Sequence, residues 1–97
     1  MKKHILTLAA IWFAASVTAA NAGCYVDYKA KKDNPLQLHY GVMEVPQAVC
    51  DGQANAAAAI APRLANRGWT LLNVLSVFTD QGLAGRKANA GRYFLSF

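Results

Sequence analysis

Between Cys24 and Lys31 the residues alternate across two faces, with Cys24, Val26, Tyr28 and Ala30 on one and Tyr25, Asp27, Lys29 and Lys31 on the other. That period of two predicts a half-buried strand. Asp33-Asn34-Pro35 is a turn signal and Leu36 to Val45 predicts a second strand, so the pair forms a hairpin that Pro46 ends. Cys50-Asp51-Gly52 follows, with Asp51 expected to cap a helix. From Gln53 to Arg67 the chain is rich in alanine, and Ala57, Ile60, Ala61 and Leu64 recur at the spacing of one buried helical face. Asn55, Arg63, Asn66 and Arg67 fall mostly on the other side. Pro62 predicts a kink or a restart, and Gly68 the stop.

Trp69 to Phe78 is the most apolar part of this region, and its Val, Phe, Trp and Thr content predicts a central strand. Its polar residues Thr70, Asn73 and Ser76 fall at every third position, a spacing that also suits a helix. Asp80-Gln81-Gly82 is a turn, Leu83 to Gly91 a polar connection, and Arg92 to Phe97 a last strand. The order β-β-α-β-β predicts a two-layer α+β domain, a small antiparallel sheet of about four strands with one helix packed across it. One helix covers one face, yet Trp69, Leu71, Leu75 and Val77 alternate with Leu72, Val74 and Phe78. The second face therefore needs cover from the Leu83 to Gly91 connection, a partner protein, an apolar ligand, or a second copy in a homodimer through Leu72, Val74, Phe78 and Phe94.

Residues 1–22 read as an address. Met1-Lys2-Lys3-His4 is cationic, Ile5 to Ala15 is apolar but too short for a permanent span, and Ala20-Asn21-Ala22 places small residues at the −3 and −1 positions of a cleavage site. A signal peptide cleaved after Ala22 leaves residues 23–97 as a single small domain, periplasmic or secreted. Ten Lys and Arg against five Asp and Glu give the whole chain a net charge of +5. Two of those lysines lie in the leader, and the remaining cations are dispersed over Lys29, Lys31, Lys32, Arg63, Arg67, Arg86, Lys87 and Arg92. Dispersal and export both argue against nucleic acid as a partner, and no membrane partner is expected after processing.

Cys24 and Cys50 are the only cysteines, and export takes them to an oxidising compartment, which predicts a disulfide. Closing residues 24 to 50 into a loop would stabilise so small a domain by about 3.5 kcal/mol on the chain-entropy account. A lipoprotein would instead acylate Cys24, but Asn21 stands where a branched aliphatic residue is expected. No residue is evidently placed to activate either thiol.

His39 is the only histidine after the leader, and alternation sets it beside Gln37 and Met43, opposite Leu38, Tyr40 and Val42, as a partly exposed strand residue. A hydrolase-type enzyme would need His39 brought to Asp27, Glu44 or a hydroxyl. No metal-ligand spacing, phosphate-binding loop, dinucleotide fingerprint or nucleophile elbow occurs, so no cofactor is expected. The segment Gly82 to Arg92 alone joins glycines to clustered cations. Arg86, Lys87 and Arg92 are therefore the candidate binding residues for an acidic ligand or protein.

Arg63-Leu64-Ala65-Asn66-Arg67-Gly68-Trp69-Thr70-Leu71-Leu72-Asn73-Val74 resembles the core of a family of small bacterial domains of unknown function, whose helix ends at Gly-Trp before a hydrophobic strand. Tyr93-Phe94-Leu95-Ser96-Phe97 matches that family's closing strand. The family usually carries an acidic residue where this chain has Thr70, and usually lacks a leader and a cysteine pair. The resemblance implies a fold and no activity. The sequence thus predicts a non-catalytic exported binding or protein-interaction module. Mass spectrometry of the exported protein is expected to find Gly23 at the N-terminus, two hydrogens fewer than the reduced chain, and no lipid on Cys24.

Overall fold

The computed structural model describes residues 23–97, so the leader and its cleavage site lie outside the described residues. Strand β1 (Tyr25–Lys32) and strand β2 (Gln37–Glu44) form the expected hairpin, with Tyr28 opposite Gly41 and Ala30 opposite His39. Helix α1 (Gln53–Ala65) is followed by β3 (Thr70–Phe78), which pairs antiparallel with β1. A second helix, α2 (Leu83–Ala90), then leads into a single 3-10 turn at Gly91–Tyr93. The sheet order is β2-β1-β3.

The architecture is α+β, with three strands and two helices among the described residues where about four strands and one helix are expected. The central strand is β1, not Trp69 to Phe78. Leu83 to Ala90 is a helix because Leu83, Arg86 and Ala90 recur at i, i+3 and i+7 and give it a face to lay against the sheet, despite Gly85. The last strand shrinks to one bridge, Phe94 beside Val42, with the Leu95 N–H donating to the Val42 carbonyl at 2.8 Å. Positive φ at Gly91 (55°) and Leu95 (56°) breaks the extended run on both sides of that bridge.

One face of the sheet carries the apolar core. Val26, Tyr28, Ala30 and Met43 pack against Ala56, Ile60 and Leu64 of α1, with Cys24, Val45 and Trp69 closing the margins. The expected helical face is close to the one observed, with Ala56 buried and Ala57 and Ala61 partly so. Alanines let the helix lie near the strands, and Gly41 does the same within the sheet. A Cβ at Gly41 would sit 2.4 Å from the Tyr28 hydroxyl, so only glycine leaves room for that ring. Asp51 is not the cap: Gly52 is, and the Asp51 carboxylate instead accepts from the Asn55 amide at 2.9 Å. Pro62 is carried inside the helix, with Pro62 and Ala58 both exposed, so the carbonyl freed at Ala58 faces water.

Gly68 ends the helix as expected. With φ 85° it lets the Trp69 N–H reach the Leu64 carbonyl at 3.0 Å and the Gly68 N–H the Ala65 carbonyl at 3.0 Å, a Schellman closure that turns Trp69 into the core. The period of three in β3 has a specific origin. Its register against β1 shifts twice, leaving Leu75 unpaired between Val74 and Ser76, and Leu72 between Leu71 and Asn73. Each bulge adds a residue to the two-residue repeat, so Leu71, Val74 and Val77 face the core while Thr70, Asn73 and Ser76 face away. The expected dimer surface is thereby divided: Val74 joins the core, Phe78 lies beneath Arg86, Phe94 lies beside Val42, and Leu72 stays exposed.

Cys24 and Cys50 form the disulfide, Cα atoms 6.0 Å apart, tying the start of β1 to the approach to α1. With its sulfur in that bond, Cys24 cannot also carry a lipid. Cys50→Ala is expected to cost about 3 kcal/mol of stability. Urea unfolding of the oxidised protein and of the variant, with circular dichroism to confirm an unchanged fold, measures it.

Candidate functional site

Side chains capable of chemistry gather in two places, on opposite faces of the sheet. On the second face Asp27 is 6% exposed in the middle of β1. It accepts hydrogen bonds from the Ser76 hydroxyl at 2.6 Å, the Tyr40 hydroxyl at 2.8 Å and Arg86 Nε at 3.0 Å. Arg86 also donates to the Gly82 carbonyl at 2.9 Å and lies 3.9 Å from the centre of the Phe78 ring. Burial works against the Asp27 charge, but the bonds from Ser76, Tyr40 and Arg86 and the Arg86 charge outweigh it, so the carboxyl titrates below its ordinary range. Burial and the bond to Asp27 push Tyr40 up to about 12. The cluster is a closed set of charge-assisted bonds that clamps α2 to the sheet.

The candidate binding residues are thus separated. Arg86 is held inside the fold by Asp27, whereas Lys87 and Arg92 are exposed. Lys87 Nζ lies 5.9 Å from the Phe94 ring centre and the Arg92 guanidinium 5.4 Å from that of Tyr93. The expectation of one cationic loop fails because the segment is helical and turns its residues in different directions.

On the first face His39 is 7% exposed, not partly exposed as expected. Its ring stacks on Tyr93 at 3.8 Å and 14°, and meets the edge of Trp69 at 4.3 Å and 89°. Phe97 lies 5.7 Å away and nearly parallel. Nε2 shares a hydrogen bond of 3.0 Å with the Tyr28 hydroxyl, while Nδ1 is buried without a partner. Burial, aided by the charge of Lys32, lowers the His39 pKa to about 4, so the ring is neutral at physiological pH. Burial also raises the Tyr28 phenol above its ordinary value. Of the partners expected for a His39-based hydrolase, Asp27 lies on the opposite face and Glu44 at the other end of β2, while the hydroxyl that reaches His39 is that of Tyr28. Sequence alternation had set His39 on its correct side of β2, but the aromatic surround comes from Trp69 and from Tyr93 and Phe97 at the far end of the chain.

Arg63 donates to the Glu44 carbonyl at 2.8 Å and to the Phe97 carbonyl at 2.5 Å, holding the last residues over this aromatic group. Among the described residues, no three His, Cys, Asp or Glu side chains converge as a metal site would require. Set against known proteins, the chain matches no family model, no curated protein and no solved structure.

Two expectations follow. Arg86→Ala leaves the Asp27 charge uncompensated and is expected to cost about 2 kcal/mol, roughly 10 °C in melting temperature, much of which Asp27→Val combined with Arg86→Leu restores. Calorimetry of the three proteins checks it. His39 binds a proton more readily unfolded than folded, so its contribution is complete above its ordinary pKa of 6.5 and is lost as pH falls toward 4. That loss amounts to about 2 kcal/mol between pH 7 and pH 5 and is expected to be absent from His39→Phe in matched unfolding curves at the two pH values.

Proposed function

We propose that this chain is an exported, non-catalytic binding module for a protein or acidic ligand, consisting of one small domain released by cleavage after Ala22. The observation that carries the reading is where the reactive side chains are spent. Asp27, Ser76, Tyr40 and Arg86 saturate one another, and His39 is neutral and enclosed by rings, so neither group opens a general acid, base or nucleophile to a substrate. The surface keeps lysines, arginines and exposed leucines, the materials of recognition.

Export is supported by the disulfide, which belongs to an oxidising compartment. Among the described residues no helix is long and apolar enough to cross a membrane. Two cationic surfaces are available to a partner. One holds Lys87 and Arg92. The other lies at the turn end of the β1–β2 hairpin, where Lys29, Lys31 and Lys32 stand among exposed leucines.

Cross-linking in the native compartment tests the reading. Wild-type protein is expected to capture a partner, less so at high salt, and one charge reversal, either Lys87→Glu with Arg92→Glu or Lys29→Glu with Lys31→Glu, is expected to abolish capture. His39→Phe is expected to retain it. Turnover of any substrate that disappears with His39→Phe overturns the reading in favour of an enzyme.

A further inference from the structure

Helix α2 covers only part of the second sheet face. It clamps the end that holds Asp27, Ser76 and Phe78, and stops short of the end that holds Lys29, Lys31, Leu38, Tyr40 and Leu72. There Leu38 on β2 is 65% exposed and Leu72 on β3 is 49% exposed, with Leu36 in the adjoining turn at 64%. Between them lies an open cleft of about 280 Å³, lined by Lys29, Ala30, Leu38, His39, Tyr40 and Leu72. Three leucines left in water around one hairpin end are an apolar surface of the kind that marks contact with a partner or membrane.

The charge beside them selects the partner. Lys29, Lys31 and Lys32 are grouped toward this end, where Asp33 pairs with Lys31 at 3.4 Å, while Asp27, two residues from Lys29 on the same face, is already paired with Arg86. Glu44 and Asp80 lie at the other end, flanking Tyr25 and raising its pKa through its bond to Asp80 and their negative charge. Along β1, Lys29 and Lys31 lie four and six residues from Tyr25, which pairs with Glu44, a separation of about 13–20 Å or roughly two Debye lengths at physiological salt, so the acids neutralise the basic end only weakly. Leucines interleaved with lysines suit an interface where phosphates lie immediately outside hydrocarbon.

We infer that the hairpin end of the second sheet face is an attachment site for an anionic lipid surface. Leu36, Leu38 and Leu72 enter the interface while Lys29, Lys31 and their neighbours meet headgroup phosphates. The acidic end at Glu44 and Asp80 is repelled and turned outward, so the molecule docks in one orientation. This rests on the binding-module reading and names its partner. It departs from the sequence-based expectation of no membrane partner after processing, since it needs no spanning helix.

The test is sedimentation of the oxidised exported protein with vesicles of phosphatidylglycerol mixed with phosphatidylcholine, and of phosphatidylcholine alone. Binding is expected to the first and not the second, and to fall as salt rises. Lys29→Glu with Lys31→Glu, and separately Leu38→Asp with Leu72→Asp, are each expected to weaken it at least tenfold. Ala58→Glu on the exposed side of α1 keeps wild-type binding. The substituted side chains are exposed, and circular dichroism confirms that each variant is folded. Failure to bind phosphatidylglycerol vesicles, equal binding to phosphatidylcholine alone, or wild-type binding by both the lysine and the leucine double variants overturns the inference. So does a dimer, seen by sedimentation without vesicles, that Leu38→Asp dissociates. If vesicle binding fails while cross-linking in the native compartment still captures a partner, the lipid assignment falls alone. If both fail, the binding-module reading falls with it.

Discussion

A carboxylate buried in the centre of a three-stranded sheet constrains everything built on the second face. Asp27 has strand on either side and little access to water, so its charge is tolerable only if the fold supplies donors. Ser76 from one neighbouring strand and Tyr40 from the other supply two, and α2 crosses the sheet to supply Arg86. The helix is short, contains Gly85, and has no side-chain cap at its start, so little in its own sequence holds it helical. Its position therefore depends on the charge beneath it. The reverse also holds, since without α2 the carboxylate would be left facing an open sheet.

Where α1 meets the sheet, the first face is organised by apolar packing, and that part is readable in the sequence. Alternation in β1, the Ile60 and Leu64 spacing and the Gly68 stop each report a local geometry that the tertiary structure then uses unchanged. The errors have physical causes as well. Trp69 to Phe78 reads as a central strand because strict alternation puts apolar residues on both of its faces, but its hydrophobic excess comes from Leu72 and Leu75, which the register leaves unpaired. The period of three was visible in Thr70, Asn73 and Ser76 and carried the answer. It belongs to a bulged strand, a possibility that a choice between two and 3.6 leaves out.

The candidate sites were less legible than the fold for a different reason. Arg86 looks the same in sequence whether it faces water or a buried acid, and only its spacing from Leu83 and Ala90 hinted at an inward face. His39 could be assigned a side but not an environment. Tyr93 and Phe97, which stack on it, reach it from a segment separated by the whole of α1, β3 and α2. Long-range partners of this kind are fixed by topology, and topology depended on the helix that the sequence reading took for a loop.

The two bulges of β3 also decide how this molecule behaves among copies of itself. A three-stranded sheet has two open rims, and a straight row of unpaired amides on either is a template for another chain. On β2 the rim is interrupted where the Leu95 N–H occupies the Val42 carbonyl. On β3 the extra residues throw the row out of step, and the Gln53 side chain occupies the Leu75 carbonyl at 2.9 Å. The irregularity that hides the strand in the sequence thus acts as a guard against fibrous stacking, leaving a chain with exposed leucines a surface for association through side chains and no continuous backbone seam to extend.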